Sequence, residues 1–248
     1  MSFLNKLGIG IGVGSSRQVA RPIPSNGHAP RNGSSVAVGS PRMPERTESA
    51  RVSNGLKELL WNLDGLGRGT LLDLGPAWQT TLSFFIERGF RVSSDDILRS
   101  WKMFLDEEEC KLREDGTLRD TLDLTPRGRA VRFLEENLQY GRSSFDAILL
   151  WDLLDYLEPN LGKEMVAQLT ELLRPGGVIF AMFHSKKPEA FQRYRIADSS
   201  TLQVVATPVI CPAQKAYQNR EIQDLFGRYR TMKSFVGRDQ LRETLFIK

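Results

Sequence analysis

The sequence predicts an α/β fold in which helices cover both faces of a mostly parallel sheet. From residue 55 onward, short apolar runs alternate with segments whose apolar residues recur at helical spacing. The last two apolar runs, 231–236 and 243–247, follow each other across a short turn and predict an antiparallel β-hairpin at the sheet edge. With 248 residues, the chain has room for one substantial domain and an appendage.

The first elements follow from their periodicity. Leucines recur at helical spacing over 56–63 and predict a short lead-in helix. A strand is predicted at 70–75, where an apolar run ends at a glycine, and 80–88 carries apolar side chains on one helical face. Residues 90–94 predict the next strand, and 97–113 an amphipathic helix.

The middle of the chain is less regular than its second half. Within 114–144, the pattern at 129–137 fits a helix or a short third strand. A buried strand is predicted at 145–152, with an aspartate at its carboxyl end, and a helix at 162–173. A proline-glycine turn then leads into a buried strand at 178–183.

The appendage precedes the domain. Residues 1–52 are rich in Gly, Pro and Ser, so they cannot bury enough apolar surface to offset an ordering entropy of about 1–2 kcal/mol per residue. We predict a disordered basic tail over 1–52 and a domain over 53–248. The tail holds the surplus positive charge of the chain, whose formal net charge is +4, so we expect no nucleic-acid partner for the domain.

Further classes are excluded by features the sequence lacks. No apolar run approaches the roughly 20 residues needed to cross a bilayer, and the first residues make a poor signal peptide, so we expect a cytoplasmic protein with no membrane span. Cys110 and Cys211 lie far apart without nearby histidines, which predicts neither a disulfide framework nor a metal site. A small molecule is the expected partner, and the oligomeric state stays open.

Ligands of open α/β sheets bind outside the carboxyl ends of the strands, where the strand order reverses. The residues that follow the predicted strands at this end are the loop Gly75–Gln79, Asp95, Asp96, Trp151, Asp152 and Asp155. Asp96 follows Gly75 by about twenty residues, the interval at which an acid in such folds binds the two ribose hydroxyls. The sequence therefore predicts a ligand that contains a nucleoside.

Four segments together resemble the class I S-adenosylmethionine-dependent methyltransferases. In order, they are Leu71-Leu72-Asp73-Leu74-Gly75, Val92 to Asp96, Phe145 to Asp152 followed by Asp155-Tyr156-Leu157, and Leu172 to Gly177. The resemblance covers roughly residues 65–248. It implies a three-layer Rossmann-like sandwich with a mostly parallel seven-stranded sheet, whose last strand lies between the fifth and the sixth.

The resemblance also implies a cofactor, S-adenosylmethionine, and the residues that hold it: Asp73, Gly75, Pro76, Ala77, Asp96, Ile97, Trp151 and Asp152. Gly75 would approach the methionine end, Asp96 the ribose, and Asp152 the amino group or the substrate. The chain departs from the family's Gly-X-Gly-X-Gly, because only Gly75 remains in its Gly-Pro-Ala-Trp-Gln loop. A left-handed Ala77 would cost about 1–2 kcal/mol and weaken binding roughly tenfold.

The implied reaction is an in-line displacement, in which a nucleophilic atom of an unidentified acceptor attacks the sulfonium methyl. Proximity supplies most of the catalysis, with no metal and no covalent nucleophile required. The candidates for a general base are Asp152, Asp155, Tyr156 and His184, of which we select Asp152, Tyr156 and His184 as catalytic. Two alternatives stay open: a non-catalytic binding or regulatory module, and a nicotinamide-dependent oxidoreductase, which explains the missing glycines less well.

Each acid also has a structural explanation. Asp73 can accept backbone hydrogen bonds at the strand end, and Asp96 can cap the following helix, with Asp95 replacing it at the ribose. Asp152 and Asp155 can cap the next helix. The connection 185–218 suggests a cover over the substrate side, but we favour a solvated loop with aromatic anchors.

Overall fold

A computed structural model describes residues 48–115 and 117–248. Its strands are β1 Glu48–Val52, β2 Thr70–Asp73, β3 Arg91–Ser94, β4 Phe145–Trp151, β5 Leu173–His184, β6 Gln192–Ile196, β7 Thr201–Ala206, β8 Thr231–Val236 and β9 Leu241–Ile247. Its helices are α1 Asn54–Leu63, α2 Gln79–Ile86, α3 Ile97–Glu114, α4 Leu118–Thr121, α5 Pro126–Asn137, α6 Pro159–Leu172 and α7 Asn219–Leu225. Most of the expected tail, up to residue 47, lies outside the described residues.

The central sheet has the strand order β3-β2-β4-β5-β9-β8. Neighbouring strands from β3 to β5 pair in parallel, and β9 pairs antiparallel with both β5 and β8. The mostly parallel α/β sheet with a closing hairpin is therefore confirmed, and β9 lies between β5 and β8 as expected. Chain order reverses between β2 and β4, which places a crevice at their carboxyl ends.

In the described chain this sheet has six strands rather than seven. Residues 114–144, where the sequence is compatible with a short third strand, instead contain helices α4 and α5. Helix α5 begins at Pro126, after Thr125 accepts a hydrogen bond from the Gly128 amide. It buries Ala130, Phe133 and Leu134, which lie on one helical face, so apolar burial favours a helix here.

Successive residues of the buried strands point to opposite faces, and this builds a core on each side of the sheet. Ile148 and Leu150 of β4 pack with α3, α5 and α6 on one face. Ala147 and Leu149 pack with α1 and α2 on the other. The result is the expected three-layer sandwich, and none of the described helices is long and apolar enough to span a membrane.

A second sheet corrects two of our expectations. Strands β1, β7 and β6 form an antiparallel sheet in the order β1-β7-β6. Residues 48–52, expected in the disordered tail, pair with β7, and Arg51 forms ion pairs with Asp239 and Glu243. The connection 185–218, expected as a solvated loop, contains the β6–β7 hairpin, whose apolar residues pack into the core on the α1 and α2 side.

Candidate functional site

Asp73 ends β2 at the crevice and is almost fully buried. Its Oδ1 accepts hydrogen bonds from the Gly75 amide at 3.0 Å and from Trp151 Nε1 at 2.6 Å. Its Oδ2 is buried without a hydrogen-bond partner. Burial raises the pKa of Asp73 to about 6, although the two hydrogen bonds oppose that effect. Asp73 therefore accepts a backbone hydrogen bond, as its structural explanation predicts. Its second oxygen, Oδ2, has no hydrogen-bond partner.

The indole of Trp151 covers Gly75. A Cβ atom added to Gly75 would lie 2.8 Å from Trp151 Nε1, so only glycine permits this approach. Trp151 ends β4 with a positive φ of 53°, a conformation that costs a non-glycine residue about 1–2 kcal/mol. Its ring stacks on Tyr194 of β6 and meets Phe180 edge to face. The space beside Gly75 is therefore filled by the indole of Trp151.

The rest of the Gly75 loop avoids the expected strain. The described non-glycine residues with positive φ are Ser143, Trp151 and Gln240, so Ala77 is not left-handed. The Trp78 amide donates to the Pro76 carbonyl at 2.7 Å, which closes a tight turn before α2. The penalty predicted for a missing glycine at position 77 does not arise, because the loop follows a path open to any residue.

Asp96 caps α3, as its structural explanation predicts. Its Oδ1 accepts from the Arg99 amide at 3.4 Å and from Arg193 Nη2 at 2.8 Å. The neighbouring Asp95 instead accepts a hydrogen bond from the Tyr140 hydroxyl at 2.6 Å. Ile97 is buried, with its amide directed to the Leu74 carbonyl. Of the two acids, Asp96 is therefore the one linked to the second sheet at the crevice.

Asp152, Asp155 and His184 form a buried polar cluster. His184 ends β5, and both its amide and its Nδ1 lie within hydrogen-bond distance of Asp155 Oδ2, at 2.8 Å and 2.9 Å. Asp152 Oδ2 lies 4.0 Å from the same Nδ1. Asp152 Oδ2 and Asp155 Oδ1 are both buried without hydrogen-bond partners. The parallel neighbours β4 and β5 bring this cluster together, because it follows their carboxyl ends.

The pKa values of the titratable groups in this cluster are raised above their usual values. Burial raises the pKa of Asp152 to about 7 and also raises that of Asp155. Burial alone would lower the pKa of His184, but the hydrogen bond that its Nδ1 donates to Asp155 and the charges of both carboxylates prevail and raise it. Burial and the same carboxylates raise the pKa of Tyr156 above its usual value. Tyr156 is therefore suited to donating a hydrogen bond rather than to accepting a proton.

A cavity of about 480 Å³ opens beside Asp96. Its walls include Pro76 and Trp78 from the loop, Met103 from α3, and Arg193 from β6. This volume lies in the range of about 300–1,000 Å³ that small-molecule sites occupy. The cavity joins the Gly75 loop to the second sheet, so a ligand bound at Asp96 would contact both.

Sequence reasoning did not identify Arg193 as a site residue. Arg193 lies in the connection 185–218, for which the sequence predicts a solvated loop. The alternation of polar and apolar residues over 193–196 and 201–204, around a short polar turn, is typical of a hairpin. Among the described residues, no group of three or more His, Cys, Asp or Glu side chains is placed to hold a metal ion.

Comparison with known proteins gives a match at the level of structure alone. No family model matches the chain, and no curated protein matches it. One similar solved structure is 1,6-didemethyltoxoflavin-N1-methyltransferase from Burkholderia thailandensis, with bound 1,6-didemethyltoxoflavin and S-adenosylhomocysteine. It is 16% identical, with 79% of this chain and 78% of that chain covered and a TM-score of 0.40.

A second similar structure is a SAM-dependent methyltransferase from Aquifex aeolicus. It is 13% identical, with 79% of this chain and 90% of that chain covered and a TM-score of 0.42. These likenesses concern the fold.

Proposed function

We propose that the domain is an S-adenosylmethionine-dependent methyltransferase that acts on a small-molecule acceptor at the carboxyl edge of the central sheet. The observation that carries the proposal is the pair of buried, unpartnered carboxylate oxygens, Asp73 Oδ2 and Asp152 Oδ2, at the ends of adjacent parallel strands. Buried polar atoms nearly always have partners, so these two acceptors point to a ligand that brings donors.

The chemistry of these acids fits the cofactor. Asp73 and Asp152 would accept hydrogen bonds from its amino group, and Asp96 would bind the ribose hydroxyls. Pro76, Ala77 and Ile97 would line the path between these two ends. The space over Gly75 holds the Trp151 indole, so binding would require that side chain to turn away or to pack along the ligand.

When bound, this cofactor supplies a methyl group already activated on sulfur. The chain's own residues then align the acceptor, and such positioning is worth roughly 7–11 kcal/mol. His184, oriented by Asp155 through Nδ1, would accept the acceptor's proton at Nε2. Tyr156 would orient the acceptor through its hydroxyl, and Asp152 would hold the cofactor's amino group beside it.

The first experiment is calorimetry on the full chain with S-adenosylmethionine and S-adenosylhomocysteine. We expect micromolar binding, which Asp96→Asn weakens at least about tenfold, or 1.4 kcal/mol. Asparagine remains a good helix N-cap, so this variant removes the charge and keeps the start of α3. Absence of binding up to millimolar concentration by the folded chain would contradict the proposal.

The second candidate is a non-catalytic binding or regulatory module with the same fold. Two side chains already occupy the crevice, which favours this second candidate: Trp151 lies beside Gly75, and Arg193 contacts Asp96. It predicts nucleoside binding without turnover. The two candidates are separated by supplying candidate acceptors to the S-adenosylmethionine-bound chain and measuring the thioether product.

A further inference from the structure

Large apolar side chains are exposed at the amino ends of β2 and β3, the edge of the sheet opposite the crevice. Trp61, near the end of α1, is 76% exposed, and Ile86, the last residue of α2, is 57% exposed. Leu66, in the loop before β2, is 40% exposed. A single exposed apolar residue is ordinary, but a group of them marks a surface that contacts a partner.

Two surface hollows join these side chains into one surface. Trp61 and Leu66 line a hollow of about 450 Å³, and Ile86 lines another of about 470 Å³. Phe90, directly before β3, lines both, so the two hollows adjoin. We call the residues that line the two hollows the amino-edge patch.

The amino-edge patch is basic. Its acid among the described lining residues is Asp64, and its cations are Lys57, Arg68, Arg88, Arg91 and Arg174. Arg174 pairs with Asp146, whereas Arg68 and Arg91 form no ion pair within the described chain. Residues 48–248 hold nearly equal numbers of basic and acidic residues, so this edge concentrates positive charge on an otherwise balanced domain.

Apolar side chains among cations match the chemistry of an anionic lipid surface. Tryptophan lies at the level of the lipid headgroups, aliphatic side chains reach the acyl boundary, and each nearby Lys or Arg strengthens binding about fivefold. A protein interface has a core depleted of charged residues, whereas here the cations lie between the apolar side chains. A nucleic-acid site stacks bases on aromatic rings, whereas Leu66 and Ile86 are aliphatic.

We propose that the amino-edge patch binds the surface of a membrane that contains anionic lipids. Trp61 and Ile86 enter the headgroup region, and the cations of the patch contact lipid phosphates. The crevice, at the opposite edge of the same sheet, then faces away from the membrane. This inference goes beyond the proposed function and does not depend on it.

The first test is sedimentation of the full chain with vesicles of phosphatidylcholine, alone or mixed with phosphatidylserine. The wild-type chain is expected to bind the mixed vesicles about tenfold or more tightly than the neutral ones, and added salt should weaken this binding. The double variant Arg68→Gln, Arg91→Gln should lose affinity for the mixed vesicles by about tenfold or more, because it removes two charges from the patch.

The matched control is the double variant Arg220→Gln, Arg238→Gln. It removes the same charge at exposed positions on α7 and in the turn between β8 and β9. That turn lies at the carboxyl end of β5, because Leu241 pairs with His184. Affinity for the mixed vesicles should stay within about twofold, because salt screens charges beyond about 10 Å. Thermal unfolding checks that each variant is folded.

The second test uses tryptophan fluorescence to locate the contact. Trp101 and Trp151 are buried and Trp78 is half-buried, so Trp61 is the exposed tryptophan of the described chain. Mixed vesicles whose acyl chains carry bromine should quench its emission in the wild-type chain. Trp61→Phe should remove most of this quenching and keep binding within about threefold, because phenylalanine is also apolar.

Three results would overturn this inference. The first is equal binding to neutral and mixed vesicles, or binding to neither. The second is an equal loss of affinity in the two double variants, which would assign the attraction to net charge alone. The third is binding without quenching at Trp61. Binding of poly-glutamate or duplex DNA, without binding of vesicles, would assign the patch to a protein or a nucleic acid and would overturn it as well.

Discussion

Strand β4 carries an aspartate near each end, and the two carboxyls differ in how they are partnered. Near the amino end, Asp146 Oδ2 accepts hydrogen bonds from the Thr70 amide, the Thr70 hydroxyl and Arg174 Nη1, at 2.7, 3.0 and 2.5 Å. Although burial opposes it, these partners lower the pKa of Asp146. Just beyond the carboxyl end, Asp152 Oδ2 is buried without a partner, and burial raises the pKa to about 7.

The difference separates an end of the sheet where the acid is fully partnered from the end where we propose that the ligand binds. A partly buried charge with partners ties β2, β4 and β5 together at the amino end. A buried carboxyl without partners costs free energy, which is why such groups are concentrated where a protein binds a ligand or moves a proton. Four substitutions or titrations test this contrast.

The largest expected effect is at the amino end. Asp146→Ala should lower the free energy of unfolding by about 2 kcal/mol, because it leaves the Thr70 and Arg174 donors without their acceptor. Urea unfolding at pH 7 measures this change. Asp106→Ala, at an exposed acid of α3, is the control and should stay within about 0.5 kcal/mol. An equal loss of unfolding free energy in Asp146→Ala and Asp106→Ala would contradict a structural role for the partners of Asp146.

Asp152 should behave in the opposite way. Its folded pKa lies above the unfolded value, so the folded state binds more protons and stability falls as pH rises from about 4 to about 7. Asp152→Asn removes this dependence, so the loss of unfolding free energy between pH 5 and pH 7 should shrink by about 1–2 kcal/mol. Urea unfolding at the two pH values measures it. A variant with the wild-type pH dependence would show that Asp152 titrates normally.

The imidazole of His184 reports on the cluster directly. The chain has two histidines, so its resonances are easily assigned by NMR titration. The pKa of His184 should lie above 6.5 in the wild-type chain and fall in Asp155→Asn, because the hydrogen bond to Asp155 and its charge both raise it. Burial would then dominate and favour the neutral ring. The titration of His28 provides an internal control, and an unchanged His184 would exclude Asp155 as its partner.

The smallest expected effect is in the Gly75 loop. Ala77 has no left-handed backbone, so Ala77→Gly relieves no strain and should lower the free energy of unfolding by about 0.5 kcal/mol through the unfolded state. Ligand affinity should stay within about twofold. Urea unfolding and calorimetry measure the two effects. A variant that gains tenfold in affinity would show that the missing glycine limits binding.

The inner strands β2, β4, β5 and β9 of the central sheet could be predicted because each contains a run of buried apolar residues. The apolar run of β4 and the alternation that feeds both cores are visible without any tertiary information. The order of the closing strands, with β9 beside β5, is also as predicted. The sequence does not predict the hairpin β6–β7, because three of the five residues of β6 are polar, namely Gln192, Arg193 and Arg195, and such a segment is also typical of a solvated loop.

The sequence by itself determined the six strands of the central sheet and the placement of Asp73, Asp96 and Asp152 at or just after their carboxyl ends. These features follow from periodicity and from parallel pairing, which act over a few residues or along a repeated unit. The tertiary structure alone decided that Arg193 meets Asp96, 97 residues away, and that Trp151 covers Gly75. Such contacts depend on how separate layers cross in space, and no local pattern encodes that geometry.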